Sequence, residues 1–340
     1  FVEFPVFGGA QMTVGRQVYD AVEAPYFLDS GVNPFSKHMT MGTDSWLYDR
    51  ALDAIGLKKT FGAGTAWFYA THSAFDFNGT PGATADDYGF WELYLAGQFQ
   101  FSERFGFDLG IQYLLGDDSA NQYSPPPPTG GTGLELSNIY TAFGGLRFNF
   151  NENIALKGMY YLQDFGGTIG DNGVNPALDI QDDAKAWRAV IDVRQDMLKF
   201  TSLWLEFDMV DRGFFMPTGP RALFNNYDWA GRELEGVVST SNIVHSDLTI
   251  WRIAAQQQWN DKFSTFEYFT NLTADTPIVT PTTGARSADD GKLTQWGIGV
   301  GYQYNPSVLF GLSWEQIKFS DAWDGRNDAG QVRFRTQVMF

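Results

Sequence analysis

Residues 104–115 read RFGFDLGIQYLL, and large apolar side chains alternate along this stretch with polar residues and glycines. The apolar positions are Phe105, Phe107, Leu109, Ile111 and Tyr113. The positions between them include Arg104, Asp108 and Gln112. Successive side chains of a β-strand point to opposite faces of its sheet, so this alternation predicts a strand with one apolar and one polar face.

The same pattern recurs along the chain in segments of roughly ten residues. It predicts fifteen strands, near residues 1–7, 10–18, 48–59, 62–72, 88–101, 104–115, 134–150, 153–164, 184–196, 199–210, 246–259, 262–272, 291–304, 308–319 and 331–340. Helical periodicity is not sustained anywhere. The sequence therefore predicts an all-β protein.

The connections between these segments alternate in length. Short turns such as NEN at 151–153 and NDK at 260–262 follow one end of the strands. Long loops follow the other end, near residues 19–47, 73–87, 116–133, 165–183, 211–245, 273–290 and 320–330. This sidedness is typical of a transmembrane antiparallel β-barrel, whereas a β-sandwich lacks it and a propeller would show a blade repeat of about 40 to 50 residues.

The composition agrees with a barrel. Aromatic residues make up 16% of the 340 residues, yet the mean hydropathy is −0.24. No apolar run reaches the roughly 18 to 20 residues of a spanning helix, which excludes a helical membrane protein. Barrel strands need be apolar on only one face. The absence of cysteine excludes disulfides and thiolate metal sites.

The number of strands predicts how the chain is placed in its barrel. Bacterial single-chain barrels have an even number of strands and place both termini in the periplasm. Counting back from a periplasmic Phe340 makes residues 1–7 a descending strand, so an ascending strand is expected before Phe1. We therefore expect sixteen strands with fifteen in this chain, and a single barrel domain over 1–340 that is N-terminally incomplete.

The excess negative charge lies in the long loops. These loops hold 23 acidic and 6 basic residues, and their balance of −17 equals the net charge of the whole chain. Solvated loops explain this pattern. A second interpretation is that clustered carboxylates, namely Asp86, Asp87, Asp179, Asp182 and Asp183, bridge divalent cations or bias ions that enter a pore. No loop has calcium-loop spacing, so no metal ligand is assigned and no cofactor is expected.

Two motifs resemble Gram-negative trimeric general porins. FGGAQMTVGRQVYDA at 7–21 and LYDRALDAIGLKKTFGAGTAWFYA at 47–70 are similar to the third-to-fifth-strand region of that family. Phe334, Val338 and Phe340, at alternate positions, resemble the C-terminal signal read by the barrel-assembly machinery, although Thr336 departs from it. Some members carry an S-layer-homology tether to the cell wall, and a region before Phe1 is compatible with one.

The resemblance implies a water-filled channel in the outer membrane, formed by a homotrimer surrounded by lipid and lipopolysaccharide. The loop at 19–47 occupies the place of the family's subunit-latching loop. The family's third external loop folds into the lumen, and here it offers Asp76, Asp86 and Asp87 as acidic constriction candidates.

The family places basic side chains opposite that loop. Arg16 and Arg50 match its motif, and Lys58 shares the face of Arg50 by period 2. Met12 and Val14 share the parity of Arg16, so Arg16 faces the lumen only if Gly15 forms a bulge.

Strand alternation alone gives further pore-lining candidates. They are Glu92, Arg104, Asp108, Arg147, Lys157, Arg188, Asp192, Arg194, Glu206, Asp208, Arg252, Glu315, Arg333 and Arg335. A face with so many ionised groups is incompatible with a packed core, so we expect it to line water. The apolar face is expected to meet lipid, with interfacial candidates Trp67, Trp91, Trp251, Trp259, Trp296 and Trp314.

These features predict passive diffusion of ions and small hydrophilic solutes across the outer membrane. No enzyme is expected, because His38, His72 and His245 lie in or beside predicted loops and none stands in a nucleophile motif. A pI of about 4.4 argues against nucleic-acid binding.

Two alternatives remain open. A substrate-specific channel, for sugars for example, could use Tyr94, Tyr161 and Trp204 as a stacking track. A structural barrel that tethers the cell wall or adheres to partners could use the long loop at 211–245.

Overall fold

The structure is a computed structural model, and it describes residues 1–18, 46–47, 51–74, 89–116, 138–166, 183–216, 239–240, 243–244, 246–276, 278–280, 285–323 and 327–338. Within these ranges fifteen strands form one antiparallel sheet. The sheet is a meander, because each strand pairs with the next of the fifteen along the chain. The all-β antiparallel barrel fold predicted from the sequence is therefore confirmed.

The sheet strands have the following bounds: β1 Val2–Pro5, β2 Gln11–Val18, β3 Ala51–Phe61, β4 Gly64–Ala74, β5 Gly89–Gln100, β6 Phe105–Gly116, β7 Asn138–Asn151, β8 Ile154–Gly166, β9 Asp183–Leu198, β10 Thr201–Val210, β13 Leu248–Gln258, β14 Phe263–Ala274, β17 Gly291–Asn305, β18 Val308–Phe319 and β19 Ala329–Val338. Two separate pairs of short strands lie in long loops: β11 Ser239–Thr240 with β12 Ile243–Val244, and β15 Ile278–Thr280 with β16 Ala285–Arg286. The short turn after β1 contains a 3-10 helix, Phe7–Gly9. None of the helices in the described part of the chain is long and apolar enough to cross a membrane.

Each predicted strand is present in the sheet, and the alternation in sequence becomes an alternation in burial. In β14, every even position from 264 to 274 is buried and every odd position is more exposed. The stretch at 104–115 forms β6, with Asp108 and Gln112 on the buried face and Leu109 and Ile111 exposed on the other. The buried face is the inside of the sheet.

Side chains of Asn and Ser close several of the short turns. Asn151 Oδ1 accepts hydrogen bonds from the backbone N–H groups two and three residues further on, at 2.8 and 2.9 Å. Asn260 Oδ1 does the same at 2.9 and 3.0 Å, and Ser102 Oγ at 3.3 and 3.1 Å. These hydrogen bonds satisfy turn N–H groups that have no partner in the hydrogen-bond ladder between the strands. Asn and Ser favour such positions for this reason.

Outward side chains towards the long-loop ends are rich in tryptophan. The ring centroids lie 4.9 Å apart for Trp187 and Phe207, 5.0 Å for Trp251 and Phe269, and 4.9 Å for Trp296 and Trp314. Trp67 does not belong to this belt, because its position on β4 points inward and only 7% of it is exposed. The prediction that Trp67 is interfacial was therefore wrong.

A second belt, mostly of phenylalanine, surrounds the short-turn ends. Its ring pairs include Phe99 with Phe107 at 4.9 Å, Phe148 with Phe150 at 4.9 Å, Phe200 with Trp259 at 4.7 Å and Phe263 with Tyr302 at 4.8 Å. Exposed aliphatic side chains lie between the two belts, such as Leu95 and Leu109. An apolar band between two aromatic belts is the surface that a bilayer requires of a barrel.

The last strand follows the same rule. Phe334 and Val338 lie on the outward face of β19, with 68% and 49% of their surface exposed. Arg333 and Arg335 lie on the inward face, which is partly buried. Phe340 falls outside the described residues, and the assembly signal remains a prediction.

Candidate functional site

The inward face of the sheet changes character along the strands. Near the long-loop ends it is apolar and buried, at Val210, Leu248, Ile250, Leu272, Leu293 and Ile317. Ionised residues follow towards the middle, and amides such as Gln100 and Gln258 lie near the short turns. The expectation that this whole face lines water is wrong for its long-loop half, because chain segments from two loops fold onto it.

Four ionised side chains on adjacent strands form what we call the central charge cluster: Arg188 of β9, Glu206 and Asp208 of β10, and Arg252 of β13. Arg188 stands opposite Asp208 in the strand register, and Glu206 stands opposite Arg252. Two acidic residues on one strand are thus flanked by a basic residue on each neighbouring strand.

Each arginine of the cluster contacts both carboxylates. Arg188 Nε lies 2.7 Å from Glu206 Oε1 and 3.5 Å from Asp208 Oδ1. Arg252 Nη1 lies 3.1 Å from Glu206 Oε1 and 3.1 Å from Asp208 Oδ2. All four side chains are 2% exposed or less. Burial of four charges is tolerable here because the cluster is neutral overall and each ion contacts its opposite.

A second group of ion pairs lies on β6 to β9. Arg147 Nε donates to both oxygens of Asp108, at 3.2 and 3.1 Å. Lys157 stands directly opposite Arg147 in the register, and its Nζ lies 3.9 Å from Asp192 Oδ2. Like charges in opposite positions repel, and here each has an acidic partner on its other side. The Arg147 side chain is 25% exposed, so this group borders open space more than the central charge cluster does.

Aromatic rings on the inward face form a row beside the charges. The ring centroids of Tyr94 and Phe143 lie 5.9 Å apart, and those of Phe143 and Tyr161 lie 6.2 Å apart. Gly110 of β6 makes room for this row, because a Cβ there would lie 2.3 Å from Phe143 Cζ. The rings are buried, as is Trp204, whose Nε1 donates to Glu206 Oε2 at 2.9 Å.

Trp46 and Leu47, from the loop before β3, cover this row. The Trp46 ring stacks on Tyr161 with centroids 5.2 Å apart, and the Arg188 guanidinium carbon lies 4.7 Å from the centre of the Trp46 ring. Gln112 Nε2 donates to the Leu47 carbonyl at 3.1 Å. Both residues are fully buried, so the end of this long loop is turned into the interior.

Residues 213–216, from the loop after β10, complete the cover and are called the inward segment below. The Phe214 ring meets Trp46 and Tyr161 edge-on, at 6.3 and 6.0 Å. The Gln163 side chain of β8 makes two hydrogen bonds to the backbone of Phe215. Phe215 N donates to Gln163 Oε1 at 2.6 Å, and Gln163 Nε2 donates to the Phe215 carbonyl at 3.1 Å. Phe214, Phe215 and Met216 are all buried.

Hydrogen bonds hold the two residues that precede the inward segment, Asp211 and Arg212, at the long-loop ends of the strands. Asp211 Oδ2 accepts a hydrogen bond from Lys185 N at 3.0 Å, and Arg212 N donates to Asp247 Oδ1 at 2.7 Å. Burial raises the pKa of the Asp211 carboxyl, and nearby Asp247 adds to this, whereas the bond from Lys185 opposes it. Asp211 and Arg212 therefore link the long-loop ends of β9, β10 and β13.

The inward face of β14, β17, β18 and β19, next to β13 in the sheet, holds a smaller polar network. Gln295 Nε2 donates to Tyr268 Oη at 3.2 Å, and Gln331 Nε2 donates to Glu315 Oε2 at 3.2 Å. Glu315 is buried, whereas Arg333 lies on the more exposed β19.

The predicted constriction residues do not come together in the described part of the chain. Arg16 lies on the outward face with Met12 and Val14, because the pairing of β2 with β3 continues through Gly15 without a bulge and sets Arg16 opposite Asp53. Its prediction as a lumenal residue was wrong for that reason. Lys58 points inward, with its Nζ 5.5 Å from the centre of the Trp67 ring.

The other constriction candidates, Arg50, Asp76, Asp86 and Asp87, fall outside the described residues, as does the rest of the loop that would carry the three acidic ones.

The pore-lining candidates are placed as follows. Glu92 is buried and accepts a hydrogen bond from Gln112 Nε2 at 2.6 Å. Arg104 is exposed in the short turn between β5 and β6, and Arg194 is half-buried near the short-turn end of β9. The inward face carries Asp108, Arg147, Arg188, Glu206, Arg252, Arg333 and Arg335. Their role in conduction remains a prediction.

The inward segment and Trp46 were not identified from the sequence. The signal was the run GFFM at 213–216, three consecutive large apolar residues at the start of the loop after β10. Such a run in a long loop indicates a segment that folds back onto an apolar surface.

The rim outside the barrel carries more carboxylates. Burial and the adjacent Asp290 carboxyl raise the pKa of Asp275. Asp183 is exposed at the start of β9, whereas Asp179 and Asp182 fall outside the described residues. No group of metal-ligating side chains suited to an ion occurs in the ranges that the structure describes. Divalent-cation binding by the loops stays a prediction.

The histidines contribute no catalytic arrangement among the described residues. His72 lies on the outward face of β4 against Trp91, with ring centroids 4.9 Å apart. His38 and His245 fall outside the described residues.

Comparison with known proteins gives a consistent fold. No protein-family model and no curated protein sequence matches the chain. Among solved structures, it is similar to Pseudomonas aeruginosa OccD3 (OpdP), with 13% identity, a TM-score of 0.52, and 98% of this chain and 75% of that chain covered. It is similar to P. aeruginosa OccK3 (OpdO), with 11% identity, a TM-score of 0.56, and coverage of 97% and 77%. It is also similar to Acinetobacter baumannii OccAB4, with 11% identity, a TM-score of 0.54, and 97% of this chain and 71% of that chain covered.

Another match is described as the outer membrane protein OprD of P. aeruginosa. At these identities the likeness shows the fold, and that fold is the β-barrel of Gram-negative outer-membrane proteins.

Proposed function

We propose that this chain forms a substrate-selective channel in a Gram-negative outer membrane. The aromatic belts and the likeness to outer-membrane barrels support the location. The long acidic loops then face the medium and the short turns face the periplasm.

The observation that favours selectivity over general diffusion is the closed packing inside the barrel. Trp46 and the inward segment bury the aromatic row and the central charge cluster, where a general diffusion channel would keep its wall in water. A solute that passes this level must compete with specific ring contacts and ion pairs. A passage of this kind discriminates by shape and by the position of charge.

The charged side chains around the central charge cluster are not expected to select for cations or for anions. The central charge cluster pairs two arginines with two carboxylates, and Arg147 and Lys157 have Asp108 and Asp192 as partners. Ion preference is then expected to follow the acidic loops at the entrance, which attract cations.

The test is electrical recording from the purified full-length protein in a planar bilayer under a potassium chloride gradient. We expect small channels, a cation-favouring reversal potential, and a current that certain small organic solutes reduce in a saturable way while others of equal size do not. Large steps that no solute reduces would instead identify a general diffusion porin. Folded barrels without any channel activity would contradict the transport function and favour a structural barrel.

A homotrimer remains a proposal, as does tethering to the cell wall through a region before Phe1. The loop expected to latch subunits, 19–47, ends at Trp46 and Leu47, which contact the interior of their own barrel. The mass of the folded protein in detergent tests the trimer, and a single-barrel mass would contradict it.

A further inference from the structure

We infer that the outward face of β13 and β14 is a contact surface for a second copy of this chain, centred on Glu267. Four outward side chains define this surface and are called the outward polar patch below: Gln257, Trp259, Thr265 and Glu267. The inference rests on the proposed membrane location and does not depend on conduction.

Glu267 faces outward between the two aromatic belts. On the outward face of β14, only Thr265 and Glu267 separate Phe263 of the short-turn belt from Phe269 of the long-loop belt. The flanking strands carry aliphatic side chains between their own belt rings: Leu203 and Leu205 on β10, and Ile298 and Val300 on β17. β14 therefore presents a carboxylate and a hydroxyl to a part of the bilayer that its neighbours meet with hydrocarbon.

Three hydrogen bonds run through the outward polar patch and end on the Glu267 carboxylate. Trp259 Nε1 donates to Thr265 Oγ1 at 2.8 Å, and Thr265 Oγ1 donates to Gln257 Oε1 at 2.7 Å. Gln257 Nε2 donates to Glu267 Oε1 at 2.5 Å. A carboxylate has two accepting oxygens and an amide nitrogen has two N–H groups, so among the described residues this series uses one of each pair. Glu267 Oε2 and the second N–H of Gln257 are available to a partner.

Lipid cannot satisfy these groups. Acyl chains offer no hydrogen bonds, and a polar group that faces them loses the bonds that water would supply. Lipid headgroups lie at the level of the aromatic belts and beyond, whereas Glu267 lies between the belts. The occupant that suits the outward polar patch is therefore another membrane-spanning protein surface.

A second copy carries the matching groups at the matching depth. Copies inserted in one orientation are related by an axis along the membrane normal, and rotation about this axis preserves depth. In a twofold contact, the second N–H of Gln257 in each copy donates to Glu267 Oε2 of the other, which gives two reciprocal hydrogen bonds. Gln257 is 9% exposed, so Glu267 of the second copy reaches it over Ala255, which is small and stands opposite Glu267 in the register.

This surface is separate from the one expected to latch subunits. The loop at 19–47 precedes β3, and β14 lies nine places further along the sheet of fifteen strands. The contact joins two single barrels or, if the protein is a homotrimer, barrels of neighbouring trimers. It is thus an additional contact and does not replace the proposed trimer.

Disulfide cross-linking tests the contact. The chain contains no cysteine, so a single introduced thiol reports on meetings between copies without background. Ala255→Cys lies beside the inferred axis, and Ala142→Cys is the matched control because Ala142 is also a half-buried outward alanine, on β7. Outer membranes of cells that express the full chain are oxidised with copper phenanthroline and run on non-reducing gels. We expect a two-barrel species for Ala255→Cys and little of it for Ala142→Cys.

A second variant tests the hydrogen bonds. Glu267→Leu removes the acceptor, and the association constant of two barrels, measured by sedimentation equilibrium in detergent, should fall about 30-fold, the factor for two ordinary hydrogen bonds. Ile298→Leu, an apolar exchange opposite Glu267 on β17, is the control and should leave the constant unchanged. A role of Glu267 in folding alone predicts easier unfolding of Glu267→Leu in vesicles, whereas the contact predicts none, since leucine suits a lipid-facing position.

The outcomes separate the contact from the membrane location. Equal linking of Ala255→Cys and Ala142→Cys would mean that copies meet only by random collision, and an unchanged association constant in Glu267→Leu would mean that the carboxylate holds no second copy. Linking of Ala255→Cys to a different protein would assign the surface to that protein. Each of these results overturns the contact between copies and leaves the location in place, because the barrels tested are folded in the membrane. Selective linking at Ala255→Cys that is lost in Glu267→Leu supports it.

Discussion

Replacing Arg188 by methionine tests the physical account of the central charge cluster. The substitution removes the contacts at 2.7 and 3.5 Å and leaves Glu206 and Asp208 to share Arg252. The methionine fills much of the same space, so the change is mainly one of charge. Breaking a buried ion pair in this way costs about 3–5 kcal/mol in the free energy of unfolding, because one carboxylate loses its compensation.

The assay is urea unfolding of the protein folded in lipid vesicles, with the folded fraction read from gel mobility. Lys58→Met is the control, since Lys58 is basic and points inward but is exposed; it should cost less than about 1 kcal/mol. The double variant Arg188→Met/Glu206→Gln keeps Arg252 beside Asp208 at 3.1 Å and restores neutrality, so it should be more stable than Arg188→Met alone.

Two results would refute this reasoning. One is an Arg188→Met protein within about 1 kcal/mol of the wild type, which would mean that water already reaches the cluster. The other is a double variant less stable than the single one, which would mean that the Glu206 contacts matter through packing and not through charge balance.

Three further predictions concern the surface. The raised pKa of Asp275 means that its ionised form is disfavoured in the folded state, so the stability of this strand end falls as pH rises through that pKa. Asp290→Asn should lower the Asp275 pKa, measured by NMR, and hydrogen exchange at the end of β14 should then depend less on pH; an unchanged pKa would contradict the contact. Trp296→Ala removes the ring contact with Trp314 at 4.9 Å. It should lower the free energy of unfolding, measured in vesicles, by about 1 kcal/mol more than the loss of buried apolar area alone would. Phe334→Asp should abolish assembly in cells while the purified chain still refolds in detergent, and equal loss in both would assign Phe334 a structural role only.

The strands were predictable because their signal is local. Alternation in a stretch such as 104–115 depends only on which side of a sheet each side chain meets, and the sheet has a different solvent on each side. The short turns at Asn151 and Asn260 carry their own closing hydrogen bonds, so the ends of these hairpins are also fixed locally. The same rule placed Arg188, Glu206 and Arg252 on the inward face.

The prediction that the whole inward face lines water failed because the burial of that face has a non-local cause. The burial of the central charge cluster depends on Trp46, which is 142 residues before Arg188 in the chain and reaches it only through a loop. Periodicity carries no information about where a loop comes to rest. Arg16 failed for the opposite reason, since its parity already placed it with Met12 and Val14, and the family motif was given more weight than the alternation.

The two aromatic belts also make the molecule optically asymmetric. Indole rings on the outward face lie mainly towards the long-loop ends, at Trp91, Trp187, Trp251, Trp296 and Trp314, with Trp259 at the other end. The short-turn belt is mostly phenylalanine, which emits little beside tryptophan. Lipids carrying a heavy-atom quencher in one leaflet alone would therefore dim the protein's emission by different amounts from the two sides. The barrel reports its own orientation in a vesicle, with no label attached.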